Sequence, residues 1–150
     1  MSLPTETVAA LRALGSPNAE HLVPLDPHLA GAAHGRIVLP WCATCKRAHW
    51  YPALRCPGCR TRDWGWRDVG TEAVLDSWTV VHHPLAPALR EHVPFPLGLA
   101  VPVAAPDVRL VTTLLLGPGE TPELSQRLTA CPGPALDDGC LLAFATEAVS

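Results

Sequence analysis

The chain has 150 residues, 48% hydrophobic and 17% charged, with 17 prolines and a net charge of −3. This apolar content excludes a disordered chain, and no run of about 18 apolar residues exists to cross a bilayer as a helix. Abundant proline and scarce charge point instead to a strand- and loop-rich body: one domain, or one domain with a small appended module.

Taken in order, residues 4–14 read as a helix. Pro4 suits the first turn, Val8, Leu11 and Leu14 share a face, and Gly15 ends it. Asp26-Pro27 opens a second short helix, with Asp26 as N-cap, that stops at His34-Gly35. Its run Ala30-Gly31-Ala32-Ala33 leaves a smooth surface for close packing. Met1 to Glu6 has neither a basic nor an apolar leader region, so a cytoplasmic, reducing location is expected. There, paired cysteines bind metal more often than they form disulfides.

Ile37-Val38-Leu39 leads into Cys42-Ala43-Thr44-Cys45, and Cys56-Pro57-Gly58-Cys59 follows ten residues later. Two such turns each aim a pair of sulfurs at one point, the spacing of a four-thiolate site for one structural zinc ion. Cys42, Cys45, Cys56 and Cys59 would fill the tetrahedron, leaving no open position for a reacting water. No redox or organic cofactor is expected. Trp41, Trp50, Trp64 and Trp66 flank the site and, with the metal, stand in for a core. Residues 36–67 carry Arg36, Lys46, Arg47, Arg55, Arg60, Arg62 and Arg67 against Asp63 alone. Part of that excess offsets the formal −2 of a zinc tetrathiolate, and the rest is available to an anionic ligand or an acidic partner surface.

Beyond Gly70 the pattern becomes β. Ala73-Val74-Leu75 and Trp78 to Val81 form a long bent strand, Leu97 to Val101 a second, Arg109 to Leu116 a third and Cys140 to Ala148 the last. Residues 84–96 form a proline-rich loop. Residues 117–139 read as turns and loop, with one helical turn at Pro122 to Gln126. His82 and His83, as strand neighbours, should face opposite sides, one inward and one to solvent. Cys131 and Cys140 lack metal spacing, and Asp137-Asp138-Gly139 reads as a turn. The expected architecture is mainly β: an N-terminal helical segment (1–35), a rubredoxin-like zinc ribbon (36–69) and a small OB-fold barrel (70–150).

Several stretches carry a resemblance. They are Gly35-Arg36-Ile37 before the first cysteine pair, Tyr51-Pro52 between the pairs, and Trp66 and Gly70 after them. Ser77-Trp78-Thr79-Val80-Val81-His82, Arg109-Leu110-Val111-Thr112 and Asp138-Gly139 complete the set. Over roughly residues 26–149 the chain resembles the zinc-ribbon/OB-fold family known as domain of unknown function 35. It departs from that family at Lys46, where glycine is usual, at His28-Leu29, where aromatics are common, at Ala73 for glycine and at His83 for arginine.

The resemblance implies a small subunit, without chemistry of its own, required beside a thiolase, ketosynthase-like acyltransferase or aldolase, where it helps position an acyl-CoA or carrier-bound substrate. Arg36, Lys46, Arg47, Arg55, Arg60, Arg62 and His83 are the candidate contacts to partner or CoA. The alternative for a ribbon and an OB-fold is nucleic-acid binding. Against it, residues 71–150 hold three positive side chains and nine acids, and their strands offer few aromatics on which bases could stack. No membrane association is expected.

Overall fold

The computed structural model describes residues 25–83, 87–136 and 139–149, with backbone only at 88, 135, 136 and 139. The expected helix over 4–14 and the acidic pair of the 137–139 turn lie outside the described residues.

Helix α1 spans Asp26–Ala33, with Pro27 in its first turn. Leu25 is its N-cap and makes no side-chain cap bond, so Asp26 lies inside the helix rather than capping it as expected. There its carboxylate faces the positive end of the helix dipole. The helix ends in a Schellman motif: the Arg36 N–H reaches the Gly31 carbonyl at 2.9 Å and the Gly35 N–H reaches that of Ala32 at 2.9 Å. Gly35 has φ +66°, the left-handed conformation this ending requires. The smooth surface is used as the sequence suggests, since a Cβ on Gly31 would stand 2.4 Å from the Val38 side chain.

Strands β1 (Val38–Cys42) and β2 (Trp64–Asp68) form an antiparallel two-stranded sheet, pairing from Val38↔Asp68 to Cys42↔Trp64. Ile37 extends this ladder, its N–H reaching the Gly70 carbonyl at 2.9 Å while its own carbonyl accepts from the Val69 N–H at 2.8 Å, and its side chain packs in the core shared with the barrel.

The barrel comprises β3 (Glu72–Val81), β4 (Phe95–Pro102), β5 (Leu110–Leu115), β6 (Arg127–Leu136) and β7 (Gly139–Ala145). They close in the order β3-β4-β5-β7-β6, with β5 and β7 parallel. This is the five-stranded Greek-key plan of an OB-fold. The bend expected in β3 is a register shift between Leu75 and Ser77.

Three sequence expectations need correction. Residues 127–136 are a full strand, not loop, and this strand closes the barrel by pairing with both β3 and β7. Pro132, Gly133 and Pro134 look like breakers, but they sit at a register shift between Pro132 and Ala135. There a Cβ on Gly133 would meet the Leu141 carbonyl at 2.6 Å, so the residues that appear to end the strand instead allow close approach. Residues 122–126 hold a turn at Leu124-Ser125 in place of a helical turn, with Ser125 at φ +64°. Finally, β7 stops at Ala145, and Glu147–Val149 is a single 3-10 turn.

Ribbon and barrel share one core. Ile37, Leu39, Ala48 and Val69 of the ribbon side join Leu75, Ala100, Leu110, Leu114, Leu128 and the fully buried Phe144. A Cβ on Gly98 would lie 2.9 Å from Leu75 and 3.0 Å from Leu114, so its bareness lets those two side chains fill the barrel.

The loop after β5 is pinned by Glu120. Its carboxylate accepts from the Thr146 hydroxyl at 2.6 Å, the Gly117 N–H at 2.7 Å and the Gln126 amide at 2.7 Å. These bonds, that of Thr146 foremost, hold its pKa below the ordinary carboxylate value. A depressed folded-state pKa contributes stability above the unfolded value of about 4.3 and loses it as pH falls through the folded value. Urea titrations of the parent chain and Glu120→Gln should therefore differ most near neutrality and converge as the pH drops below about 4. A gap that is independent of pH would contradict this role.

Candidate metal centre

The knuckles are built alike. In the first, the Lys46 N–H bonds the Cys42 carbonyl at 3.1 Å; in the second, the Arg60 N–H bonds the Cys56 carbonyl at 2.9 Å. Both Lys46 (φ +58°) and Arg60 (φ +66°) adopt the left-handed conformation that closes such a turn. For a residue with a Cβ this costs about 1–2 kcal/mol, more than the added chain entropy of glycine. Lys46→Gly should accordingly raise the stability of the metal-loaded chain by about 0.5–1 kcal/mol in urea unfolding.

The four sulfurs converge as the spacing predicts. Cys42, Cys45, Cys56 and Cys59 place their Sγ atoms within 4.8 Å of one another. Cys42 and Cys59 are 3.5 Å apart, and Cys45 and Cys56 are 3.6 Å apart. Zinc–sulfur bonds of about 2.3 Å give a tetrahedron with edges of about 3.8 Å, so the donor set fits zinc in both chemistry and size. The Cys45 N–H points at the Cys42 sulfur at 3.4 Å. That backbone donor draws the Cys42 thiol down to about 6, while hydrogen bonding to Cys42 pushes Cys45 up to about 12. The Cys59 N–H likewise lowers Cys56. Backbone donors thus favour thiolate on the first cysteine of each pair, and a divalent ion would replace the remaining protons.

Aromatic rings support the ribbon from both sides. Trp50 lies 4.5 Å from the His28 ring, and His28 Nδ1 donates to the Val38 carbonyl at 2.8 Å. His28 thus fixes α1 to β1 where an aromatic is common in the family it resembles. Trp64 contacts both Trp66 and His49, at 5.9 and 5.4 Å. His49 is buried, and neither ring nitrogen has a hydrogen-bond partner among the described residues. Burial lowers its pKa, favouring the neutral ring. The Arg67 guanidinium stacks 4.2 Å above Trp41, a pairing that becomes legible only once β1 and β2 are laid side by side.

The basic candidates divide into two groups. Lys46, Arg55, Arg60 and Arg62 are exposed on the knuckles, with Arg55 donating to the Arg60 carbonyl at 3.2 Å. Arg36 instead forms a two-point pair with Asp68, at 2.8 and 3.1 Å, and Arg47 lies 3.8 Å from Asp107 of the barrel. These two face the junction of ribbon and barrel. A groove of about 270 Å³ opens there between Arg36, Val69, Glu72 and Val103. His83 lies past the end of β3. His82 and His83 are both exposed, because the strand ends before them, so neither faces inward. Cys140 is buried and Cys131 half-buried.

Residues 29–65 match the ChsH2 rubredoxin-like zinc ribbon domain. A stretch of 84 residues is 32% identical to a probable enoyl-CoA hydratase alpha subunit of Thermomonospora curvata, covering 56% of this chain and 25% of that protein. The chain therefore spans a quarter of the length of that curated relative. Among solved structures, the Ltp2-ChsH2(DUF35) aldolase aligns with a TM-score of 0.67 at 25% identity, over 81% of this chain and 93% of that one. A DUF35 protein from Sulfolobus solfataricus aligns with a TM-score of 0.60 at 15% identity, over 98% of this chain and 100% of that one. Residues 29–65 are thus similar to the ChsH2 zinc ribbon, and the ribbon-and-barrel fold is like that of these DUF35 structures.

Proposed function

We propose that this chain is a non-catalytic accessory subunit of an acyl-CoA enzyme of the thiolase, ketosynthase-like or aldolase type, working in the cytoplasm. The observation that carries the reading is the closed four-sulfur cluster at the tip of a ribbon whose exposed charges are mostly basic. Cys42, Cys45, Cys56 and Cys59 would hold one structural zinc, and their complete shell leaves it no catalytic position. The likeness to a DUF35 chain solved with an aldolase, and to part of a hydratase subunit, supports a partner role in acyl-CoA metabolism.

In this reading the ribbon does two things. Its metal fixes the knuckles, and the knuckles hold Lys46, Arg55, Arg60 and Arg62 outward toward an acidic partner surface or the CoA phosphates. The Arg36–Asp68 pair and the shared core transmit that placement to the barrel. The barrel and the segment between β3 and β4, shorter than the loop over 84–96 expected from sequence because β4 begins at Phe95, then help cover the acyl substrate on the partner. Arg60→Glu with Arg62→Glu should weaken assembly about tenfold at low salt, mainly by slowing association, and flatten its salt dependence.

The deciding experiment co-expresses the chain with the acyl-CoA enzyme encoded beside it and follows complex formation and turnover. A stable hetero-complex is expected, with turnover that requires both chains. A zinc-loaded chain that turns over acyl-CoA alone, or that never joins the enzyme, would overturn the proposal.

A further inference from the structure

One edge of the barrel is left open. β3 pairs with β6 only over Glu72–Val74. Leu75 then exchanges backbone bonds with Gln126 and Ser125, at 2.9 and 2.8 Å. Beyond this point, among the described residues, no strand runs along that side of β3. The opposite side stays paired with β4 from Ser77↔Leu99 to Val81↔Phe95. Ser77 to Val81 is therefore an edge strand, and Asp76 to Val80 are exposed whichever face they point to.

The edge also lacks the usual guards. Lysine, proline and bulges normally stop a sheet edge from recruiting another strand. Ser77-Trp78-Thr79-Val80-Val81 has no charge and no proline, and its register shift lies before it. The nearest carboxylate, Asp76, is held by Arg109 at 3.0 Å. Trp78 and Val80, each 36% exposed, extend the inward-facing side of β3 past the packed core.

We infer that this edge pairs antiparallel with the same edge of a second copy, with the two-fold axis at Thr79. Strands joined in one sheet pair residues that share a face, so the axis must fall on a residue and not between two. At Thr79 the register sets Trp78 of each copy against Val80 of the other, Ser77 against Val81, and Thr79 against itself. Aromatic with β-branched, and threonine with threonine, are favourable cross-strand pairs. The ends bring Asp76 of each copy toward His82 of the other. An axis at Val80 would set Trp78 against His82, and one at Trp78 would stack the two indoles and set Asp76 against Val80. Only Thr79 keeps all five residues in matched pairs. The edge, and not the knuckles, carries this contact, so it is independent of the accessory role proposed above.

Sedimentation equilibrium of the zinc-loaded full chain tests this from about 10 μM to about 1 mM, the range suited to a small interface. A reversible monomer–dimer equilibrium is expected. Thr79→Lys and Thr79→Glu each place like charges directly opposite at the axis and should weaken the dimer at least about tenfold. Thr79 is exposed, so both variants should keep the parent zinc content and circular dichroism. Mixing them in equal amounts should restore a dimer containing one of each. A parent chain that stays monomeric at about 1 mM, or a Thr79→Lys variant that dimerises like the parent, would overturn the inference. So would Thr79 variants that leave self-association unchanged but fail to join a partner enzyme, since the edge would then belong to that partner.

Discussion

Cys56→Ser should abolish stoichiometric zinc and unfold the ribbon. Cys56 is buried, and its sulfur lies 3.6 Å from that of Cys45. A serine hydroxyl cannot replace a thiolate in this cluster at neutral pH, and three sulfurs hold the ion far less tightly. Binding to such a site supplies on the order of 10–16 kcal/mol toward folding, comparable to the total stability of a typical domain. The damage should spread, because Ile37, Leu39, Ala48 and Val69 belong to the core that Leu75 and Phe144 complete. Metal analysis should show less than about a tenth of an ion per chain, with a Tm lower by more than about 10 °C. Partner binding should fall with it. A Cys56→Ser chain with a full ion and the parent's Tm would remove zinc from this account of the ribbon.

Phe144→Ala should be the most destabilising single change in the barrel. Phe144 is fully buried and pairs with Leu114 where β5 meets β7 in parallel. Removing a buried ring costs the transfer energy of its atoms plus that of the cavity left behind, about 3–5 kcal/mol together. The urea midpoint should fall accordingly with little change in slope. Phe144→Leu should recover most of the loss, because it refills much of the volume. Zinc content at neutral pH should stay near that of the parent in both variants, since the sulfurs are held by their own knuckles. Coupled loss of metal in Phe144→Leu would mean that the ribbon cannot form without a perfectly packed barrel.

Local chemistry was the most legible part of the chain. Cys-x-x-Cys pairs specify a metal site because the turn geometry lies within each four-residue stretch, whatever the fold around it. The end of α1 at His34-Gly35 could be read for the same reason, as the Schellman turn needs only the glycine and its neighbours. Runs of apolar and β-branched residues located β3, β4 and β5 to within a few residues; β5 alternates buried with more exposed positions throughout, whereas β3 does so only over its first half.

Long-range closure was not legible. Strand β6 was hidden by Pro132, Gly133 and Pro134, residues that break a strand unless a bulge accommodates them; here two of them, Gly133 and Pro134, stand opposite the single Leu141 of β7. The close neighbour that requires Gly133 there, the Leu141 carbonyl of β7, cannot be seen from the β6 segment alone. The histidines were misplaced for a related reason: alternation predicts opposite faces only while the strand continues, and β3 ends at Val81.

The basic residues show the division most clearly. By itself, the sequence determined that positive charge gathers around the cysteines, and that four thiols there would fill a tetrahedral shell around one metal ion. Only the tertiary structure decided which charges remain free. It pairs Arg36 with Asp68, lays Arg67 on Trp41, and draws Arg47 toward Asp107, leaving Lys46, Arg55, Arg60 and Arg62 exposed on the knuckles. Charge and ligand type are properties of single residues and short spacings. Which charge is neutralised, and which strand edge stays open, depends on what distant segments bring alongside.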